Sequence, residues 1–308
     1  MIMAYKETGG KIILLGEHAV VYDKHALALP FSSVKAMVEV THSDVNHWVD
    51  TIYYKGDLKD VPNLLQGIAT LIEATLDYFK IPQKIHVRIA SSIPTQRGMG
   101  SSAAVSIALV EAICDLFSSS LDTKTLIHLV MKAENIHHFN ASGLDVEVIA
   151  YNKAILFNKQ KENDMIEVSL DAKLLLVDSG IEGKTKEAVQ KVFHLSQDNP
   201  KLFTELIDRI DELVLDGVRA IKNHDIKGLG ELMNHNHEAL RLLGVSHPAI
   251  DKLIDILNAH GALGSKLTGG GLGGCLIGLF PLDQSLEKLQ ELLEKEYGVK
   301  TYIHSLKE

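Results

Sequence analysis

Apolar and polar positions alternate along the chain in two rhythms, and each predicts a different kind of element. Apolar runs, one of them (84–90) alternating with period two, predict strands at 11–16, 34–40 and 84–90. Ahead of the third, residues 63–79 set Leu65, Ile68, Leu71, Ile72 and Leu76 at helical spacing. Residues 101–117 are apolar on almost every face, which predicts a buried helix, and 123–138 predicts another. Strands follow at 154–157 and 174–177. From 184 to 257 the pattern is mainly helical, interrupted at Gly244-Val245-Ser246-His247-Pro248. A glycine-rich turn, a strand at 275–280, a helix at 286–297 and a strand at 300–304 come last. The strand-rich part gives way to the helical one near residue 180, the expected boundary between domains 1–180 and 181–308. This order lacks the regular βαβ rhythm of a doubly wound sheet and points to an α+β fold in two packed layers.

Composition narrows the function. With 308 residues, 46% hydrophobic and 23% charged, the chain can build the cores of two ordinary domains. No apolar run approaches the ~18 residues needed to span a bilayer. The start, Met1-Ile2-Met3-Ala4-Tyr5-Lys6-Glu7, lacks the basic-then-apolar pattern of a signal peptide. A cytoplasmic protein without a membrane partner is expected. Cys114 and Cys275 both lie in apolar runs and are expected as buried free thiols in a reducing compartment. A net charge of -9 argues against a nucleic-acid partner. A protein this acidic must gather positive charge locally to hold an anionic ligand, and Lys11, Arg97, Lys186 and Lys266 lie near the motifs that follow.

The strongest motif is Ile93-Pro94-Thr95-Gln96-Arg97-Gly98-Met99-Gly100-Ser101-Ser102-Ala103-Ala104. A strand ends, glycines follow and a helix starts, so unpaired N–H groups and the helix dipole favour a phosphate there. Ser101 and Ser102 can cap the helix or offer a hydroxyl to a phosphate or its Mg²⁺; the bland alternative is an ordinary glycine turn with a serine cap. No Gly-Lys-Ser/Thr follows, which excludes a Walker A loop. In Gly10-Lys11-Ile12-Ile13-Leu14-Leu15-Gly16-Glu17-His18-Ala19-Val20-Val21-Tyr22, polar side chains stand at both ends of an apolar strand. They either face a site or serve as edge solvation and a cap. The third motif, Lys266-Leu267-Thr268-Gly269-Gly270-Gly271-Leu272-Gly273-Gly274-Cys275, matches G-x-G-x-x-G in form. A strand follows it where a dinucleotide fingerprint needs a helix, so that reading fails. Glu134 on a helix and Asp145 in the turn after it can reach one cleft, although two carboxylates at this spacing are ordinarily unrelated. His235-Asn236-His237-Glu238 lacks the second histidine of a zinc helix, and the adjacent His137 and His138 cannot share a metal from a helix; no zinc is expected.

Taken together and in this order, the three glycine-bearing motifs resemble those of the GHMP kinase superfamily, which includes galactokinase, homoserine kinase, mevalonate kinase and phosphomevalonate kinase. The joint match runs from residue 10 to 275. It is closest to the mevalonate kinase branch, through Gly16-Glu17-His18-Ala19-Val20-Val21-Tyr22, Gly183-Lys184-Thr185-Lys186 and Leu242-Leu243-Gly244-Val245-Ser246-His247-Pro248. One departure stands out: the family's Ser-Gly-Ile-Asp-Asn is here Ser142-Gly143-Leu144-Asp145-Val146, so the aspartate is kept and the asparagine is not.

The resemblance implies a two-domain fold, with an N-terminal mixed α/β domain of the ribosomal protein S5 domain 2-like type and a C-terminal ferredoxin-like α/β domain. It implies ATP-dependent phosphorylation of the 5-hydroxyl of mevalonate, with Mg²⁺, and a homodimer as a family-level expectation. Asp145 is implied as the base or orienting carboxylate and Lys11 as its neighbour that stabilises developing charge. Arg97, Gly98, Met99, Gly100, Ser101 and Ser102 are implied around the ATP phosphates, and Ser102 with Glu134 as Mg²⁺ ligands. Glu17, His18 and Thr185 are implied as mevalonate contacts; an imidazole such as His18 suits the carboxylate end of that anion. The rival expectations are another GHMP kinase, phosphomevalonate kinase in particular, and a ligand-binding relative without catalysis.

Overall fold

The computed structural model describes residues 3–137, 142–161 and 163–307. Its contacts divide the chain into two units, each discontinuous in sequence: Met1–Lys11, Val34–Ile93 and Gly100–Asn152 in the first, Ile12–Ser33, Pro94–Met99 and Lys153–Glu308 in the second. Two long strands, β1 (Met3–Leu15) and β2 (Ala26–Ser43), run from one unit into the other.

In the first unit, β2 pairs antiparallel with β5 (Lys84–Ser91) in the register Ala36 to Ser91 and Ser43 to Lys84. The short strands β3 (Trp48–Asp50) and β4 (Lys55–Asp57) extend this sheet, β3 running parallel to β5. Helices α1 (Gln66–Tyr78), α2 (Ser101–Leu116), α3 (Thr123–His137) and α4 (Leu144–Tyr151) pack on one another. α2 touches α1, α3, α4 and β5, which accounts for its apolar composition on every face. Residues 144–151 form a helix, and this corrects the expectation of a turn around Asp145. The segment is apolar and rich in β-branched residues, so its pattern has no helical polarity to read. Its start is set by Gly143 in the left-handed region at φ 86°. The expected helical residue His138 lies outside the described residues.

In the second unit, β6 (Ala154–Phe157) joins the first residues of β2 and is paired with β7 (Asp164–Ile166). A separate antiparallel sheet contains β8 (Ala172–Asp178), β9 (Gly264–Thr268), β10 (Cys275–Pro281) and β11 (Lys300–Ser305) in the order β11-β8-β10-β9. Helices α5 (Thr185–Asp198), α6 (Pro200–Lys222), α7 (Ile226–Leu242) and α8 (Pro248–Ala259) connect β8 to β9, and α9 (Glu287–Tyr297) connects β10 to β11. This is the ferredoxin-like arrangement. The core gathers Leu175 and Val177 of β8, Leu276 and Phe280 of β10, Leu206, Ile207 and Ile210 of α6, and Ile250, Leu253 and Leu257 of α8. α6 starts sharply because Asn199 accepts the Leu202 N–H and Pro200 occupies the first turn.

β9 is a strand that the apolar pattern does not show. Its sequence, Gly-Ser-Lys-Leu-Thr, is mostly polar, yet every residue is buried. Partners far away in the sequence make this tolerable. Thr268 Oγ1 accepts the Ile13 N–H and donates to the Ile13 C=O, each at 3.0 Å. Lys266 is paired with Glu17.

Candidate active site

The candidate residues form two clusters, one in each unit. In the first, Lys11 near the middle of β1 reaches Asp145 in the first turn of α4, Nζ to Oδ1 3.0 Å. The lysine side chain is 4% exposed and the aspartate 39%, so the pair is closed on the lysine side and open on the carboxylate side. Gly100 lies against this pair: a Cβ there would sit 3.1 Å from Lys11 Cγ and 3.4 Å from Asp145 Oδ2. Its φ of 69° is also one that glycine adopts most easily.

Gly100 is the N-cap of α2 and provides no side-chain cap. The first N–H groups of α2 therefore lack the serine cap of the ordinary-turn alternative and retain their affinity for an anion. Ser102, on the first turn of the same helix, donates from Oγ to Glu134 Oε1 of α3 at 2.6 Å. Glu134 is 7% exposed. Among the described residues no group of three or more His, Cys, Asp or Glu side chains is placed to hold a metal. One hydroxyl and one carboxylate instead suit Mg²⁺, a hard cation that takes most of its ligands from water and substrate phosphates. The donor set fits that ion.

The second cluster is built on the third glycine motif. Gly98 and Gly269 pack backbone to backbone: a Cβ on either would lie 2.8 Å from the other's Cα. Gly274, whose C=O accepts from Ser179 Oγ at 2.7 Å, backs Arg97. Arg97 donates through Nε to Asp178 Oδ1 at 2.8 Å and through its terminal nitrogen to the Gly180 C=O at 3.0 Å. Its charge is thus committed to holding the loop. Gly270 brings two predicted residues together: its C=O is 2.9 Å from His18 Nε2, and its Cα lies so close to Thr185 that a Cβ would meet Oγ1 at 2.1 Å.

Glu17 and Lys266 form an ion pair with both side chains at 0% exposure, and Lys266 Nζ also donates to the Leu267 C=O at 2.6 Å. Next to it, burial pushes the His18 ring down to about 4, against the weaker upward pull of its bond to Gly270. Asn236 Oδ1 accepts the Gly16 N–H at 3.1 Å and anchors the start of this turn. Of the four cations near the motifs, Lys11, Arg97 and Lys266 are paired with Asp145, Asp178 and Glu17. Lys186 lies exposed in the first turn of α5.

Sequence reasoning missed Asp178, Asn236 and Thr268, and gave Lys266 no role in the site. A lysine amid Leu267, Thr268 and the apolar strand after them was the available signal, because a charge in such a place needs a partner.

The two clusters share a continuous chain, since Met99 and Gly100 are consecutive. The chain matches the model of the GHMP kinase N-terminal domain at residues 63–153 and that of the GHMP kinase C-terminal domain at 218–299. It is 32% identical to a mevalonate kinase of Thermococcus sibiricus over 296 residues, 89% of this chain and 88% of the relative. It is also 32% identical to a mevalonate kinase of Archaeoglobus fulgidus, over 88% of this chain and 90% of that one. The crystal structure of the Methanococcus jannaschii mevalonate kinase superposes with a TM-score of 0.83 at 28% identity, covering 98% of this chain and 97% of the other.

Proposed function

Because the chain belongs to the GHMP kinase family, we propose that it transfers the γ-phosphoryl group of ATP to the 5-hydroxyl of mevalonate, giving 5-phosphomevalonate and ADP. The observation that carries the chemistry is the Lys11–Asp145 pair, closed at the lysine and open at the carboxylate, against Gly100. Phosphoryl transfer depends on charge neutralisation and in-line positioning more than on covalent participation. A primary alcohol is a poor nucleophile at neutral pH, so a carboxylate within hydrogen-bond reach of it is needed.

In this reading Asp145 orients the hydroxyl and takes its proton, and Lys11 stabilises the charge that develops on the oxygen. The N–H groups of the 97–102 loop, with Ser101 and Ser102 at the helix start, hold the phosphates, and Arg97 keeps the loop in shape. Ser102 and Glu134 would hold Mg²⁺, which when bound supplies positive charge against the phosphate oxygens. His18 and Thr185, both at Gly270, contact mevalonate. Glu17, sealed against Lys266, serves the substrate by fixing the turn that carries His18.

The same proposal includes a phosphate-loop domain at 1–180 and a second domain at 181–308. It also includes a homodimer, and a cytoplasmic setting in keeping with two free, buried thiols, Cys114 and Cys275. No helix among the described residues is long and apolar enough to cross a membrane.

The test is coupled ADP release by the purified protein with mevalonate, phosphomevalonate, galactose and homoserine. Mevalonate should be preferred. Preference for phosphomevalonate would move the substrate to the next kinase in kind, and ATP binding without turnover of any acceptor would leave only a binding relative.

A further inference from the structure

The segment Leu242-Leu243-Gly244-Val245-Ser246-His247-Pro248 is one of those that set the chain closest to the mevalonate kinase branch, yet it supplies none of the site groups described above. Its local structure leaves little freedom. Gly244, at φ 77°, ends α7 in a Schellman motif: its N–H donates to the Arg241 C=O at 2.9 Å, and the Val245 N–H donates to the Leu240 C=O at 3.1 Å. His247 caps α8, accepting the Ala249 N–H at 3.2 Å through Nδ1, and Pro248 stands in the first turn. Between these two stops lie Val245, sealed in the core of the second unit, and Ser246, whose Oγ donates to Asp251 Oδ1 at 2.5 Å. His237 Nε2 bonds the same oxygen at 3.1 Å, so one carboxylate ties the turn to α7 and α8 together.

What the turn presents is the Val245 carbonyl. It accepts the Leu272 N–H at 2.7 Å, and Gly271 packs so close that a Cβ there would meet the Val245 oxygen at 2.3 Å. Leu272 has φ 54°, a left-handed conformation that a bulky side chain adopts only when its surroundings impose it. The bond to Val245 supplies part of that constraint, and packing of the leucine against the core supplies another part. The neighbours of Leu272 reach the site. The Gly271 C=O accepts the Lys184 N–H at 3.2 Å where α5 begins, and Gly270 lies against Thr185 and His18. All of these residues belong to the second unit.

We infer that Ser246 and Asp251 are positioning residues: their bond fixes the Val245 carbonyl, which holds the strained turn 270–272 in the shape that sets Gly270 against His18 and Thr185. The inference rests on the mevalonate reading above, in which His18 and Thr185 contact the substrate. Ser246 and Asp251 act on that contact through backbone alone. Loosening them involves neither Lys11 nor Asp145, so the effect belongs in KM for mevalonate and not in kcat.

Steady-state kinetics test this. Ser246→Ala and Asp251→Ala should each raise KM for mevalonate about tenfold, with kcat and KM for ATP within about twofold of the wild type. The double variant should be no worse than either single one, because both remove the same bond. Asp251→Asn keeps an oxygen for the Ser246 hydroxyl and should restore most of the affinity. Arg241→Met, which removes an exposed cation from the other carboxylate oxygen, should leave both KM values unchanged. An unmoved KM for mevalonate in Ser246→Ala and Asp251→Ala overturns the inference, and so does a fall in kcat with both KM values rising in parallel, which is the mark of general loosening.

A second readout is independent of the acceptor. In Ser246→Ala the Leu272 amide should exchange with solvent about tenfold faster, while the Ile277 amide of β10 exchanges as before. If the wild type phosphorylates a different acceptor, the mevalonate reading falls and KM for that acceptor takes its place in the test. An unmoved Leu272 amide in Ser246→Ala overturns the inference whichever acceptor is used.

Discussion

Two lysine–carboxylate pairs, each with its lysine on a β-strand, have opposite surroundings. Lys11 and Asp145 meet at 3.0 Å with the carboxylate 39% exposed, while Lys266 and Glu17 are both at 0%. The first pair leaves an oxygen that an incoming hydroxyl can reach. The second has no face to offer a ligand, and its two charges repay their burial only through each other and through bonds such as that from Lys266 Nζ to the Leu267 C=O. The same two functional groups therefore do different work. One pair is available for chemistry; the other holds the turn that places His18.

Asp145→Asn tests the open pair and should have the largest effect. It keeps the shape and removes the proton acceptor, so kcat should fall by about 10²–10⁴-fold, with ATP affinity nearly unchanged. Lys11→Met should lower kcat comparably. Chemical denaturation of Asp145→Asn should show some loss of stability, because the Lys11 ammonium, 4% exposed, is left without its carboxylate. Near-normal turnover in either variant would show that the pair is structural and erase the contrast.

For the sealed pair the expected loss is in stability. Lys266→Met leaves the Glu17 carboxylate buried without the lysine opposite, which should cost about 3–5 kcal/mol in urea denaturation. Adding Glu17→Gln should recover part of that loss, and the recovery separates charge burial from lost packing. A Lys266→Met protein as stable as the wild type would mean that the pair is not sealed in solution.

The resemblance implied Lys11 beside Asp145, and nothing implied the sealed pair. The glycine-serine loop and the long apolar helix α2 have a local signature, whereas the roles of Lys11, Ser102, Glu134 and Asp145 were implied by the family resemblance. Lys266 and Glu17 are separated by 249 residues, and their pairing depends on β9, a buried strand whose composition is polar. Local pattern carries no information about a partner so distant. The resemblance implied Glu17 as a substrate contact and Arg97 as a phosphate contact; the structure pairs them with Lys266 and Asp178. Asp145 was expected in a turn because α4 has no polar face.

Two glycines of the glycine-serine loop, Gly98 and Gly100, should respond differently to substitution. Gly98→Ala drives a Cβ to 2.8 Å from the Gly269 Cα, so backbone must move; Gly100→Ala meets Lys11 Cγ and Ile149 Cδ1 at 3.1 Å, and side chains can give way. Both also place alanine at positive φ, 75° and 69°. Gly98→Ala should cost about 1–3 kcal/mol in stability. Gly100→Ala should cost less, with kcat lowered roughly tenfold through displacement of the Lys11–Asp145 pair. Equal stability losses with equal kcat would show that the loop acts as a single piece.

The smallest effect concerns pH and is read on two buried histidines of the second unit. Burial pushes His18 and His237 down to about 4 from an ordinary 6.5, and His237 donates through Nε2 to Asp251 Oδ1 at 3.1 Å. Since the folded value is the lower one, the unfolded chain binds the extra protons between pH 6.5 and 4. Stability should therefore be complete above pH 6.5 and decline as the pH falls through that window. From pH 8 to pH 6 each ring should contribute a loss of roughly 1 kcal/mol. Urea midpoints for the wild type and His237→Gln over this range isolate one ring, and the variant should lose less stability on acidification. If the two proteins decline in parallel, His237 is hydrated and protonates freely in the folded state. Its partner Asp251, which also accepts from Ser246 Oγ, would then hold a charged ring, and the polar seam around α7 would be less closed than the Lys266–Glu17 pair beside it requires.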